Sequence, residues 1–232
     1  MAARTIALLS LTLCGCSSTV GNGKVQTETR ELGGFERVRA TGPYEVSVID
    51  ARSQKVTVTA DSNLLAHIAT RIEGDTLVLE VTPSTMPFLT GTMKVLVEVP
   101  TLARFETTGS GATSVVLESQ GRDLVLTTTG SGATSLTGAL GALTSTHSGS
   151  GGNRFSGSAA SWNATSSGSG SIDAKEFPAD KATLNLSGSG SIKATVNGSF
   201  NATLTGSGSI DWWGNATQVA TQDSGSGRTT RH

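Results

Sequence analysis

The chain has 232 residues, and 17 Lys and Arg against 18 Asp and Glu leave a formal net charge of −1. That balance excludes the broad basic surface that nucleic acid or an anionic bilayer selects. Aromatic residues are 4% of the chain and there are only two cysteines, so stacking platforms are scarce and no disulfide framework is expected.

Met1-Ala2-Ala3-Arg4 precedes an apolar stretch from Ile6 to Leu13. This is the pattern of a secretory signal, too short to span a membrane. Leu13-Cys14-Gly15-Cys16 resembles the bacterial lipobox, with Leu three residues before a cysteine and a small residue just before it. The resemblance implies a signal peptide over 1–15, removed before Cys16, and lipid attachment on the Cys16 thiol. An ordinary secretory signal with incidental cysteines is the alternative. Ser17 follows the cysteine where Asp would direct retention in the inner membrane, so the outer membrane is the implied destination. Residues 16–34 are expected to be lipid anchor and tether, with no strand pattern between Ser17 and Lys24.

Strand-like alternation begins with Val38 and Ala40 and continues through Val46 and Val48, then Val56, Val58 and Ala60. It resumes at Leu77, Leu79 and Val81 and again at Met93, Val95, Val97 and Val99. Between these, Asp61-Ser62-Asn63 leads into Leu64, Leu65 and Ile68, which reads as a corner in preference to a helical turn.

The second half repeats. Gly-Ser-Gly starts at Gly109, Gly130, Gly149, Gly168, Gly188, Gly206 and Gly225, at spacings between 18 and 21 residues. From Ala182 to Trp212 every even position is apolar or glycine and every odd one is polar. That period of two belongs to strands, and a run several times longer than an ordinary strand must turn corners while keeping one face inward. A flexible Gly/Ser linker has no reason to keep that parity. These patterns predict an all-β, single-domain parallel β-solenoid with rungs of about 19 residues and Gly-Ser-Gly corners, spanning 35–227 with a disordered tail at 228–232. Eight to ten rungs are expected. Glu176 to Lys181, with Pro178, breaks the parity and reads as a bulging loop, and the pattern is ragged around Gly152-Asn153-Arg154. Trp212 and Trp213, followed by a polar last rung, read as an end cap, with sugar stacking by Trp213 as the alternative.

No catalytic constellation is found, and the chain is expected not to be an enzyme. His67, His147 and His232 are scattered, and His147 reads as a corner side chain. Asp173 and Asp211 each follow Gly-Ser-Gly-Ser-Ile and would share a site only if their rungs superpose two apart. No metal site or cofactor is expected. Thr107, Thr127, Thr129, Thr183, Thr195, Thr203 and Thr205 fall on outward parity and form the most conspicuous exposed chemistry. Such rows can bind ice, glycans or crystalline surfaces, although threonine is also simply a good solvent-facing strand residue. Sequons at Asn163, Asn185, Asn197, Asn201 and Asn215 are expected by chance in so Ser- and Thr-rich a chain.

The order Phe35-Glu36-Arg37-Val38, Gly42, Val46-Ser47-Val48, Ala60-Asp61-Ser62-Asn63-Leu64-Leu65, Gly74-Asp75-Thr76-Leu77 and Val99-Pro100-Thr101-Leu102 ahead of the Gly-Ser-Gly rungs resembles the putative auto-transporter adhesin head GIN domain family. The resemblance spans roughly Phe35 to Trp213. It implies a β-helical fold and no known enzymatic activity, and it supplies no binding residues. The expected function is therefore a non-catalytic cell-envelope lipoprotein whose solenoid serves adhesion or binding, with a glycan, a surface or an envelope protein as ligand and no nucleic acid partner. The alternative is a periplasm-facing structural or envelope-stress-associated protein that binds another envelope protein.

Overall fold

The structure is a computed structural model that describes residues 20–82 and 91–232. The expected signal peptide and the Cys16 lipid site lie outside the described residues. Strands β1 (Val25–Arg30), β2 (Arg37–Thr41), β3 (Glu45–Asp50) and β4 (Lys55–Asp61) precede a 3-10 turn at Leu65–His67. Then come β5 (Ile68–Glu73), β6 (Thr76–Val81), β7 (Met93–Val99) and β8 (Arg104–Gly109). Beyond them each rung is one long bent strand: β9 (Thr113–Gly130), β10 (Thr134–Gly149), β11 (Gly152–Gly168), β12 (Ser171–Gly188) and β13 (Ser191–Gly206). Strands β14 (Ser209–Trp213), β15 (Gln218–Gly225) and β16 (Arg228–Arg231) complete the last turns.

Strands β9 to β13 stack in parallel and nearly in register. The inward positions form columns such as Ile172, Ile192 and Ile210, or Ala164, Leu184, Ala202, all fully buried. One rung alone could not bury its apolar side, so the stacking is the fold. The β-solenoid has about seven turns, with rungs about 19 residues apart.

The corners explain their composition. Gly149 has φ of 129°, and a Cβ on it would lie 2.3 Å from the carbonyl oxygen of Gly130 in the rung below. That same oxygen accepts the N–H groups of Ser150 and Gly151, each at 3.1 Å. Each corner thus seats on the carbonyl of the corner beneath it, and only glycine permits the approach. Gly42 begins this stack, because a Cβ on Gly109 would meet the Gly42 carbonyl at 2.3 Å. The expected kinship of the 38–42 and 105–109 segments holds in register, with Val38 opposite Phe105 and Thr41 opposite Thr108.

Several expectations need correction. The stack has about seven turns, not eight to ten, because β1, β4 and β5 pair antiparallel to their neighbours and add no rungs. Alternation identifies a buried face but carries no information on strand direction. The Leu65–His67 segment does form one helical turn, and it returns the chain from antiparallel β4. The 16–34 tether contains β1, paired with β4 over its whole length. The 228–232 tail is not disordered: Arg228 to Arg231 pairs with Ser209 to Trp212. At 176–181 the strand bulges without leaving the sheet, its register shifting between Ala174 and Pro178 and again between Ala179 and Lys181. The extra residues bring Phe177 inward, edge-on to Phe155 at 5.9 Å and to Trp162 at 6.3 Å. Phe155 and Trp162 meet edge-on at 5.9 Å as well, an arrangement that aromatic quadrupoles favour.

Candidate functional site

The second legs of the long strands form one side of the solenoid, and register sets its chemistry. Thr127, Thr146, Thr165, Asn185, Thr203 and Gln222 make one outward column. Beside it run Thr129, Ser148, Ser167, Ser187, Thr205 and Ser224, and Val125, Thr144, Asn163, Thr183, Asn201 and Ala220. Across these three columns there is no charged and no aromatic residue. None of their polar side chains is hydrogen-bonded to another group of the described chain, so each hydroxyl and amide is free to donate and accept outward. The corner serines border the face, and Ser131 Oγ lies 3.2 Å from Ser150 Oγ.

Five of the seven threonines singled out from the sequence, Thr127, Thr129, Thr183, Thr203 and Thr205, lie on this face. Thr195 lies elsewhere and bonds the Lys175 carbonyl at 2.7 Å. Thr107 is a correction. It shares the parity of buried Phe105 and stands in register with buried Ala40 and Thr128, so it faces inward.

Charge collects outside these columns, beginning with Asp123 and Lys181 in the next outward column of the same legs. The first legs carry an outward column of Ser135, Arg154, Asp173, Lys193 and Asp211 in register. Asp173 and Asp211 do superpose two rungs apart, but Lys193 separates them, so they form an alternating charge ladder in place of a carboxylate pair. Among the described residues no group of three or more His, Cys, Asp or Glu could hold a metal ion. Near the N-terminus, exposed Glu73 lies 2.9 Å from Arg71 and 2.6 Å from Arg39. Hydrogen bonds from Arg71 and then Arg39 hold its carboxyl below the usual range.

The histidines are far apart in role. His67 ends the helical turn. His232 stacks on Trp213 at 4.6 Å, with its Nε2 2.9 Å from Asp211 Oδ1. Lys175 Nζ lies 4.4 Å from the centre of the same indole. Lys175 belongs to an earlier rung and His232 follows the last, so Trp213 is held between them and is no open sugar platform. Trp212 packs on Phe200 at 4.8 Å under the Arg231 guanidinium, also at 4.8 Å. Both tryptophans therefore belong to the end cap.

His147 corrects the expectation of a corner side chain: it lies in the core with 2% of its surface exposed. Its Nδ1 is 2.8 Å from Thr128 Oγ1, which also accepts the Asn153 amide at 3.0 Å. The ragged segment at 152–154 thus hides a buried polar cluster. Asn153 Oδ1 has no hydrogen-bond partner among the described residues. Burial pushes the imidazole below its ordinary pKa, partly offset by the Gly151 carbonyl.

The Asp61-Ser62-Asn63 stretch also has a structural task. Asn63 accepts the Asn22 N–H at 3.0 Å and donates to the Val20 carbonyl at 2.9 Å, while Asn22 donates to Ser62 Oγ at 2.8 Å. These side chains clamp the incoming N-terminal segment to the base of the solenoid.

Comparison with solved structures supports the architecture. The chain is similar to a "putative adhesin" from Bacteroides fragilis, with 20% identity, a TM-score of 0.80 and coverage of 93% of this chain and 100% of that one. It is also similar to a "putative lipid binding protein" from Parabacteroides distasonis, at 20% identity and a TM-score of 0.71, covering 93% and 100%. A third, a "putative adhesin" from Parabacteroides merdae, has 16% identity and a TM-score of 0.66, covering 93% and 99%. At these identities the likeness establishes the fold. No curated protein matches the chain. The family model described as "putative auto-transporter adhesin, head GIN domain" matches residues 34–216, most of the solenoid from its base to the aromatic cap, and the chain belongs to that family.

Proposed function

We propose that the protein is a non-catalytic adhesion module of the bacterial cell envelope, anchored through lipid on Cys16 and presenting the side of its solenoid to a ligand outside the outer membrane. The observation that carries this reading is the face built from the second legs of β9 to β13 and β15: an ordered array of polar side chains with no partner inside the described chain. Family membership supports an adhesive role. The clamp supports the geometry, because only three residues separate Cys16 from Val20, a reach of about 14 Å at full extension. A lipid at Cys16 holds the N-terminal base against the membrane, and the polar last rung then forms the distal tip.

The test is protease accessibility on intact cells against lysed cells, with metabolic acyl labelling of the wild type and of Cys16→Ala. The expected result is digestion on intact cells and loss of label in the variant. Protection until lysis would overturn the adhesive reading in favour of a periplasm-facing protein that binds an envelope partner.

A further inference from the structure

Resting on that adhesive reading, we infer that the charge-free face is a docking surface for an uncharged, insoluble polysaccharide whose aligned chains repeat their hydroxyl groups along the solenoid axis. The exclusion of charge is confined to these three columns. Charge begins where the three columns end: Asp123 and Lys181 stand in the next outward column of the same legs, Arg154, Asp173 and Lys193 lie on the first legs, and the rung beneath the face ends the neutrality with the Arg104–Glu106 ion pair at 3.1 Å. From β9 to β15 the neutral area runs six strands, about 24 Å along the stack and about 14 Å across.

What fits such a surface follows from what it lacks. A charged polymer would find no counter-charge and would lose hydration without return. A protein partner needs an apolar or aromatic centre to its interface, and the only apolar positions here, Val125 and Ala220, sit at opposite ends of one column. Sugar rings that bind by their faces need aromatic platforms, and there are none. A polymer that presents hydroxyl edges meets a complementary array, because Thr, Ser and Asn side chains both donate and accept. Short side chains on a rigid sheet have little rotamer freedom to lose on docking. Each bond is weak, and an aligned solid lets many form at once. Ice is also a hydroxylic lattice. The mixture of Thr with Asn163, Asn185 and Asn201 keeps hydrogen-bonding capacity but not a repeated shape, and this favours sugar hydroxyls over a single crystal spacing.

The test is co-sedimentation of the full-length protein with microcrystalline cellulose and with chitin, alongside alginate as an anionic comparator and an ice-affinity assay. Binding to at least one neutral solid is expected, unchanged between about 0.05 and about 1 M salt because no screened charge is involved. Thr146→Glu with Thr165→Glu, both exposed and unbonded in the centre of the face, is expected to weaken binding about tenfold or more, since an unpaired carboxylate must be desolvated. Ser135→Glu on the charged column is expected to bind as wild type. Thermal melts of both variants show whether the solenoid remains folded, and Thr146→Ala with Thr165→Ala serves as the milder pair should the carboxylates disrupt it. Loss of binding in the Ser135→Glu control, binding to ice or alginate alone, or no binding to either neutral solid would each overturn the inference. Retention of expressing cells on mucin- or collagen-coated glass separates the two readings. Retention there without polysaccharide binding sinks only the inference, and absence of retention on every surface sinks the adhesive reading as well.

Discussion

A side chain at the first glycine of a corner would have to occupy the space held by the carbonyl oxygen one rung below. At Gly149 both that contact and the positive φ act together, so Gly149→Ala is expected to destabilise the protein by about 1–3 kcal/mol from backbone conformation alone, with more from the clash. Ser150→Ala, one residue on and exposed, is expected to stay within about 0.5 kcal/mol. Denaturant midpoints of the two variants check the contrast. His147 supplies a second test at this scale. Its buried imidazole titrates below the ordinary value of 6.5, so between those two pH values the unfolded chain binds a proton that the folded chain does not. Stability is therefore full above that ordinary value and falls as pH drops through it, by up to about 1.4 kcal/mol per pH unit until the folded imidazole also protonates. In the rungs above, the same column holds Leu186 and Leu204, so His147→Leu is expected to flatten the slope of stability against pH between about 7 and about 5, whatever its effect on stability at neutral pH. A slope unchanged from wild type would show that another group governs acid sensitivity.

The long strand β12 shows how an element accommodates what its sequence cannot lay flat. Its bulge places Phe177 among Phe155 and Trp162, and the Trp162 indole N–H is satisfied by Ser145 Oγ at 2.9 Å. Phe177→Ala would leave the bulge with nothing to bury, at a cost of about 3–5 kcal/mol, readable as a loss of thermal midpoint. A change below about 1 kcal/mol would mean that the bulge collapses and the neighbouring rungs close without it. The parity break at Glu176 to Lys181 was visible in the sequence, but its purpose was not, because the partners of Phe177 come from the preceding rung. The strict alternation from Ala182 to Trp212 and the glycine period made the solenoid legible. Direction was not legible: Val56, Val58 and Ala60 alternate as well in antiparallel β4 as they would in a rung. Thr107 and His147 are residue types that favour the surface, yet parity puts them on the inward side of Phe105 and Leu143 respectively. The hydroxyls of the neutral face were each visible, but a face free of charge emerges only when rungs of unequal length are brought into register.

At the scale of the molecule, a stack of identical rungs has no intrinsic stopping point, and an open end is a template for another chain. The last turn departs from the pattern in the positions that matter. Where the rung below points Phe200, Ala202 and Leu204 inward, the last places Val219, Thr221 and Asp223 in register with them. Asp223 turns back to accept Thr229 Oγ1 at 2.6 Å and its N–H at 2.8 Å. Arg231 covers Trp212 and donates to the Gly214 carbonyl at 3.0 Å. A further copy stacked on this rung would bury a carboxylate and a guanidinium against apolar columns without partners, which is prohibitive. The termination is thus encoded in a few polar substitutions at inward positions, as terminal repeats require. Deletion of residues 218–232 removes them and exposes Phe200, Leu204 and Ile210 along an unpaired edge. The truncated protein is expected to form end-to-end oligomers, seen as concentration-dependent growth in light scattering, while the full chain keeps its size. The substitution pair Asp223→Leu with Arg231→Leu, which keeps the rung but makes its inward side apolar, is expected to produce the same assembly. Growth in the truncation but not in the pair would assign the barrier to the missing strand pairing, and not to the polar inward positions.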